Sequence, residues 1–343
     1  MTDGLNISAF FIGLSTAFFA ICSFYILVLH KEHTRFQKVL GWIMAVWAVW
    51  NLKDIIITFP GMYTEKVLNW IMLIDGFSAL TYTVFIFEVT MPGWTKLRKI
   101  AALSLPFALF VIAYGISPSE EVIYAYTIFL WFYAWSVVII GYIKVRRYLN
   151  YIRRNYSNIE NIDISWLKPV FLFAIVSQLS WLFTTLYASV FIDIMYYLTT
   201  LKLWAMVLYY SWHFQPVTIP AENIVRMPSD TPLAMDKEAF VNMVVSKELY
   251  LNKDLTLNDL AHAVKTNRTY MGKYLSTVCE QPFYDFINQL RIEQKSIPLM
   301  QEHPEYTLEY IATESGFSSI STFRRAFYKF TGKTPSQFLG RFC

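Results

Sequence analysis

The sequence predicts an all-α chain in two parts, an N-terminal bundle of seven transmembrane helices and a C-terminal domain of short helices that includes a helix-turn-helix pair. Three observations lead there. Of 343 residues, 55% are hydrophobic and 18% aromatic, too oily for a soluble domain of this length. All 11 tryptophans, from Trp42 to Trp212, precede residue 213, and Pro216, Pro220, Pro228 and Pro232 follow as a linker. Beyond them the pattern changes to short amphipathic helices punctuated by glycine and capped by serine or threonine. The expected boundaries are 1–214 for the membrane domain, 215–235 for the linker and 236–343 for the C-terminal domain.

A hydrocarbon core of ~30 Å needs roughly 20 apolar helical residues. Seven segments approach or exceed that length: 5–29, 39–59, 67–91, 99–116, 122–143, 169–190 and 194–214. The fourth contains Pro106, which neighbouring helices can accommodate. Met1-Thr2-Asp3-Gly4 lacks a positive leader and the following apolar stretch exceeds a signal-peptide core, so the first segment reads as an uncleaved span.

Orientation follows from the connections. The first, third and fifth hold 12 basic residues: Lys31, Arg35 and Lys38; Lys96, Arg98 and Lys99; Lys144, Arg146, Arg147, Arg153, Arg154 and Lys168. The second, fourth and sixth hold only Lys66. Basic residues stay cytoplasmic, which puts the N-terminus outside and the tail after helix seven inside.

Ionisable residues inside a bilayer face a partner, a bundle interior or a water-filled cavity. Lys53 and Asp54 fall ~9 Å, and Asp75 and Lys202 ~12 Å, below the outer helix ends at 1.5 Å per residue. The similar depth predicts one outward-facing pocket for a polar ligand. A buried ion pair that fixes helix packing satisfies the same pattern. Lys53 and Asp54, ~100° apart on a helix, cannot both face it. Asp193 sits at the rim, and Glu88, near the inner end of the third span, reads as interfacial. The abundant aromatic side chains read as packing and membrane belts. The His30-Lys31-Glu32-His33 pair lacks a third ligand and is a solvated edge. The stretch 144–154, KVRRYLNYIRR, interleaves aromatic and basic residues; just inside helix five, lipid headgroups explain it better than nucleic acid. Cys22, Cys279 and Cys343 form no paired framework and no metal spacing, so neither disulfide, metal nor cofactor is expected.

In the C-terminal part, Thr307 can cap a short helix with Leu308, Ile311 and Ala312 on one face, ended by Gly316. Ser318 or Ser319 caps a second helix, with Ile320, Phe323, Phe327 and Phe330 inward and Arg324, Arg325, Tyr328 and Lys329 outward. Gly332 closes it. Such a pair sets a recognition helix in the major groove of DNA.

The run Ile311-Ala312, Gly316-Phe317-Ser318, Phe323, Arg325-Ala326-Phe327, Thr331-Gly332, Thr334-Pro335 and Phe338 resembles the signature of the AraC family of bacterial transcription regulators. That family joins two helix-turn-helix units by a long helix, and the resemblance implies a second unit about 50 residues upstream. Leu255-Thr256-Leu257, Leu260-Ala261, Asn267-Arg268-Thr269-Tyr270-Met271, Phe286-Ile287-Asn288 and Leu290-Arg291-Ile292-Glu293 supply it. Gln281 is read there in place of the family's usual glycine, and Pro298 interrupts the end of the connecting helix.

The resemblance implies a non-enzymatic regulator of transcription that binds double-stranded promoter DNA and works with the transcription machinery, with a homodimer as a further partner. Its base-reading candidates are Ser319, Ile320, Thr322 and Arg324, with Arg325 and Lys329 on phosphate or in packing; in the first unit Arg268, Thr269, Gly272 and Lys273 match the corresponding positions. Phe317, Phe323, Phe327 and Ala261 are expected in the core. Residues 236–343 carry 13 Lys and Arg against 12 Asp and Glu, so affinity must come from a local patch. No phosphate-binding loop or nucleophile elbow intervenes, which leaves one-component control by a small molecule or envelope signal. A transporter or membrane enzyme with a regulatory DNA-binding tail, and a passive membrane anchor, are the competing readings.

Overall fold

The computed structural model describes residues 2–30, 34–59, 61–62, 64–186, 190–219 and 235–340. The linker residues 220–234, residues 31–33 of the histidine pair motif, and Cys343 lie outside them. The chain forms two compact units, Met1–Arg147 with Ile164–Ile219, and Tyr148–Asp163 with Pro220–Cys343. The segment Tyr148–Asp163, expected from the sequence to lie with the first 214 residues, therefore belongs with the C-terminal part.

The first unit is helical. It contains α1 (Thr2–Phe24), extended by a π turn over Tyr25–Leu29, and α2 (Arg35–Lys53), extended by a 3-10 turn over Asp54–Thr58. Then come α3 (Glu65–Asp75), α4 (Ser78–Thr90), α5 (Leu97–Ile116), α6 (Glu120–Asn155), α7 (Leu167–Leu186) and α8 (Val190–Ser211). Thr34 caps α2, accepting from the Gln37 amide while Gln37 reaches back to the Thr34 amide. α1 packs on α2 and α8, α7 on α8, and α2 on α4. Trp47 is 4% exposed where these helices meet, stacking on Phe19 and donating from Nε1 to Thr81 Oγ1 at 3.0 Å.

Among the described residues, five helical stretches are long and apolar enough to cross a membrane: Ala9–Leu29, Arg35–Ile56, Glu65–Thr90, Leu97–Ile116 and Glu120–Asn155. The sixth and seventh expected spans correspond to α7 and α8, and residues 187–189 between them lie outside the described residues.

Two local expectations change. The third span is not one helix: α3 and α4 part at Gly76-Phe77. Tyr126 Oη donates to the Leu73 carbonyl at 2.8 Å, and a Cβ on Gly76 would sit 1.9 Å from that hydroxyl, so only glycine admits the tyrosine at the break. Glu88 is not an interfacial residue but 1% exposed. It accepts from Arg35 Nε at 3.0 Å and from the amides of Gly93 and Thr95, each at 2.8 Å, pinning the turn after α4.

The second unit contains α9 (Lys237–Ser246), a 3-10 turn at Leu249–Leu251, α10 (Leu257–Ala263), α11 (Arg268–Thr277) and α12 (Phe283–Leu290). A π turn, Arg291–Ser296, leads into α13 (Ile297–Glu302), followed by α14 (Leu308–Glu314), α15 (Ile320–Thr331) and α16 (Pro335–Leu339). Two apolar clusters form. Phe240, Leu260, Met271, Leu275, Phe283 and Ile287 anchor one; Ile292, Met300, Ile311, Phe317, Phe323 and Phe327 anchor the other. Each helix-turn-helix unit thus has its own core, with the run from α12 to α13 contributing to both.

Pro298 does not break that run. It lies in the first turn of α13, after the π turn, a position where its missing amide is tolerated. The left-handed residue that closes the first unit is Glu280 (φ 56°) rather than Gln281, matching Gly332 (φ 70°) in the second.

Candidate nucleic-acid interface

Each recognition helix begins at a side-chain cap. Thr256 starts α10 with a reciprocal Asp259 bond, and Asn267 starts α11 by accepting from the Tyr270 amide at 2.9 Å. Thr307 starts α14, and Ser319 starts α15 by accepting from the Thr322 amide at 3.3 Å. The turn before α15 requires Gly316: its φ is +82°, and a Cβ there would meet the Leu251 carbonyl oxygen at 2.5 Å.

On α11, Arg268, Thr269 and Lys273 are exposed and Gly272 half-buried, all within two turns of the helix start. On α15, Arg324 and Arg325 are exposed, Ile320 and Ser319 are half-buried, and Ser319 spends its oxygen on the cap. Thr322 is 3% exposed, and its hydroxyl lies against Ser319 Oγ at 3.2 Å, which makes it part of the cap. Lys329 is exposed but tied to Asp285 at 2.6 Å. Ser321, absent from the sequence candidates, is exposed one turn ahead of Arg324 and Arg325. Its signal was its place, second in the helix opposite the phenylalanine stripe. Phe317, Phe323, Phe327 and Ala261 are all buried.

Arg291 binds the unit from within. It is 1% exposed, and its guanidinium donates to the carbonyls of Tyr250 at 2.7 Å and Asn252 at 2.8 Å and to Asn288 Oδ1 at 3.0 Å. Nη2 also reaches Ser157 Oγ at 3.3 Å, and the ion lies over the Phe317 ring at 5.5 Å. Burial pushes its pKa down to about 10, still charged at neutral pH.

The segment Tyr148–Asp163 docks on this surface. Ser157 donates its amide to the Leu255 carbonyl at 3.1 Å and its hydroxyl to the same oxygen at 2.7 Å. Asn155 Oδ1 accepts from Arg268 Nε at 2.8 Å, and the Arg268 guanidinium lies 5.3 Å over the Tyr151 ring. Ser318 Oγ stands 3.0 Å from both Asn158 Oδ1 and Glu160 Oε2. Sequence reading of KVRRYLNYIRR as a lipid-facing loop missed this seat: Tyr148 and Ile152 are fully buried, while Arg153 and Arg154 remain exposed.

In the first unit, Lys53, Asp54 and Asp75 come together. Lys53 Nζ contacts Asp54 and lies 2.6 Å from Asp75 Oδ1, and Tyr197 Oη donates to Asp54 Oδ2 at 3.4 Å. Lys53 thus contacts both Asp54, where the 3-10 turn begins, and Asp75, while Asp54 has Tyr197 as a further partner. Lys202 is exposed and lies over the Phe173 ring at 4.9 Å; among the described residues it makes no ion pair. The Asp193 side chain lies outside the described residues.

The profile of a family described as a helix-turn-helix domain matches residues 260–341. The C-terminal part is thus a helix-turn-helix domain of the AraC type, which implies DNA binding. An uncharacterized HTH-type transcriptional regulator of Staphylococcus aureus (strain COL) is 33% identical over 93 residues, 27% of this chain and 12% of that protein. The Msm operon regulatory protein of Streptococcus mutans is 29% identical over 103 residues, 29% of this chain and 36% of that protein. The chain therefore spans about an eighth to about a third of these relatives' lengths, through its C-terminal part alone. No solved structure matches it.

Proposed function

We propose that this protein is a membrane-integrated, one-component transcription regulator, in which the apolar helices hold and inform a cytoplasmic reader of promoter DNA. The observation that carries the reading is the presence, in one chain, of five long apolar helices and an AraC-type domain with two capped recognition helices. Arg268, Thr269, Gly272 and Lys273 on α11, with Ser319, Ile320, Ser321, Arg324 and Arg325 on α15, form the reading surface. Two such helices enter successive major-groove faces ~34 Å apart, and a homodimer doubles the footprint. Thr322 supports its helix from inside, and Lys329 serves the Asp285 contact before any phosphate.

The topology rests on charge. Twelve basic residues in alternate connections against Lys66 in the others hold the DNA-binding part and the N-terminus on opposite sides of the inner membrane. Sensing is assigned to the Lys53–Asp54–Asp75 group, beside the break between α3 and α4, because intramembrane charges at a helix discontinuity mark ligand sites. A small polar molecule or envelope signal is the stimulus, and it acts by binding two states of the protein with different affinity.

Genome-wide mapping of DNA bound by the full chain in its own membrane tests the reading. Discrete promoter-proximal peaks are expected. Uniform background, or labelling of Cys343 by an impermeant thiol reagent added outside intact cells, overturns it.

A further inference from the structure

The segment Tyr148–Asp163 contacts the first residue of α11, Arg268, and the residue just before the α15 cap, Ser318. It touches α11 through Arg268, the turn before α10 through Leu255, the connecting helix through Arg291, and the turn before α15 through Ser318. At both recognition helices the contact takes a donor that lies where nucleic-acid phosphate would approach a capped helix start. The Arg268 guanidinium is spent twice, on Asn155 Oδ1 and on the face of Tyr151. The single Ser318 proton is shared between an amide oxygen and the Glu160 carboxylate. Asn155 is itself fixed, donating from Nδ2 to the Tyr151 carbonyl at 2.6 Å, and Ser157 is fully buried. A guanidinium held on a tyrosine ring cannot also reach into a groove.

We infer that Tyr148–Asp163 is an autoinhibitory strap, whose amide and carboxylate oxygens at Asn155, Asn158 and Glu160 occupy one donor at the start of α11, Arg268, and one just before α15, Ser318, and must be displaced before duplex DNA is fully engaged. The strap rests on the reading of this domain as DNA-binding. Its first part, Tyr148–Asn155, is the C-terminal end of α6 itself. Displacement also opens Ser157, the partner of Arg291, which keeps its bonds to Tyr250, Asn252 and Asn288; the core therefore survives release.

The test uses the full chain in detergent micelles and a fluorescein-labelled mixed-sequence duplex of about 40 bp, long enough for two dimeric footprints. Asn155→Ala and, separately, Asn158→Ala are neutral changes that remove strap acceptors without altering charge. Both are expected to tighten duplex binding roughly fivefold to tenfold, the gain from raising a minor competent fraction. Asn155→Ala placed on Arg268→Ala is expected to give no further gain, because the two residues share one contact. Asn158 is only half-buried and outside any helix, so its variant folds even where Asn155→Ala lowers the melting temperature. Unchanged or weaker binding by Asn158→Ala overturns the strap and makes the segment a support for bound DNA. If neither the wild type nor any variant binds duplex, the DNA-binding reading itself falls and takes the strap with it.

Discussion

Arg291 Nε donates to the backbone carbonyl of Tyr250 at 2.7 Å in the interior of the C-terminal unit, where the arginine is 1% exposed. Tyr250 belongs to the first helix-turn-helix core and Arg291 also lies over the Phe317 ring of the second, so one buried cation ties the two. Arg291→Ala leaves the carbonyls of Tyr250 and Asn252 without their donor, and should destabilise this unit by about 3 kcal/mol or more. Hydrogen exchange over residues 236–340 reads the loss; tryptophan emission does not, since every tryptophan precedes residue 213.

The same arginine predicts an absence of pH response. Its pKa falls from the ordinary arginine range to about 10 on folding, so the unfolded chain binds more protons only above about pH 10. Stability attributable to Arg291 should be flat from about pH 6 to about pH 9 and rise with pH only above about 10. A slope in that lower window that disappears in Arg291→Ala would contradict this.

Two residues with positive φ call for opposite substitutions. Glu280→Gly should stabilise the C-terminal unit by roughly 0.5–1 kcal/mol by relieving a left-handed glutamate. Gly316→Ala should destabilise it by about 2 kcal/mol or more, since the added methyl meets the Leu251 carbonyl at 2.5 Å. Urea unfolding followed by hydrogen exchange compares the pair.

Lys53→Met removes the cation from between two carboxylates and should lower detergent stability by roughly 3 kcal/mol. Adding Asp75→Asn should recover part of it, the mark of a coupled pair. Lys202→Met, apart from that group, should leave the melting temperature unchanged. Equal losses for Lys53→Met and Lys202→Met would dissolve the distinction.

Lys273→Ala, which takes a cation off the reading surface, should weaken duplex binding and reduce the log-log salt slope by up to about 0.9. Lys329→Ala, whose ammonium is held by Asp285, should change the slope less. Fluorescence anisotropy against potassium chloride concentration separates them.

What was legible in the chain was what depends on neighbours in sequence. The Thr307 and Ser319 caps and the phenylalanine stripe of α15 are local patterns that resolve where they were expected, and five of the seven expected apolar lengths appear among the described residues, the third broken at Gly76-Phe77. Thr322 was misjudged because helical phase alone puts it near the exposed start of α15, while the Ser319 cap draws its hydroxyl inward. Glu88 was read from depth, yet its burial is set by Arg35, some fifty positions away. Residues 148–163 read as loop chemistry because their partners at Leu255, Arg268 and Ser318 lie more than ninety residues downstream.

Order along the chain, then, decided that oily helices come first and a pair of helix-turn-helix units last, since hydropathy and capping act over a few residues. Only the three-dimensional packing decided that Tyr148–Asp163 joins the C-terminal unit through Leu255, Arg268 and Ser318, that Lys53 rather than Lys202 joins the two aspartates, and that a π turn precedes Pro298 in the connecting helix. Hydrogen bonds and ion pairs between distant segments are settled by where the backbone brings donors and acceptors, and no local period encodes that.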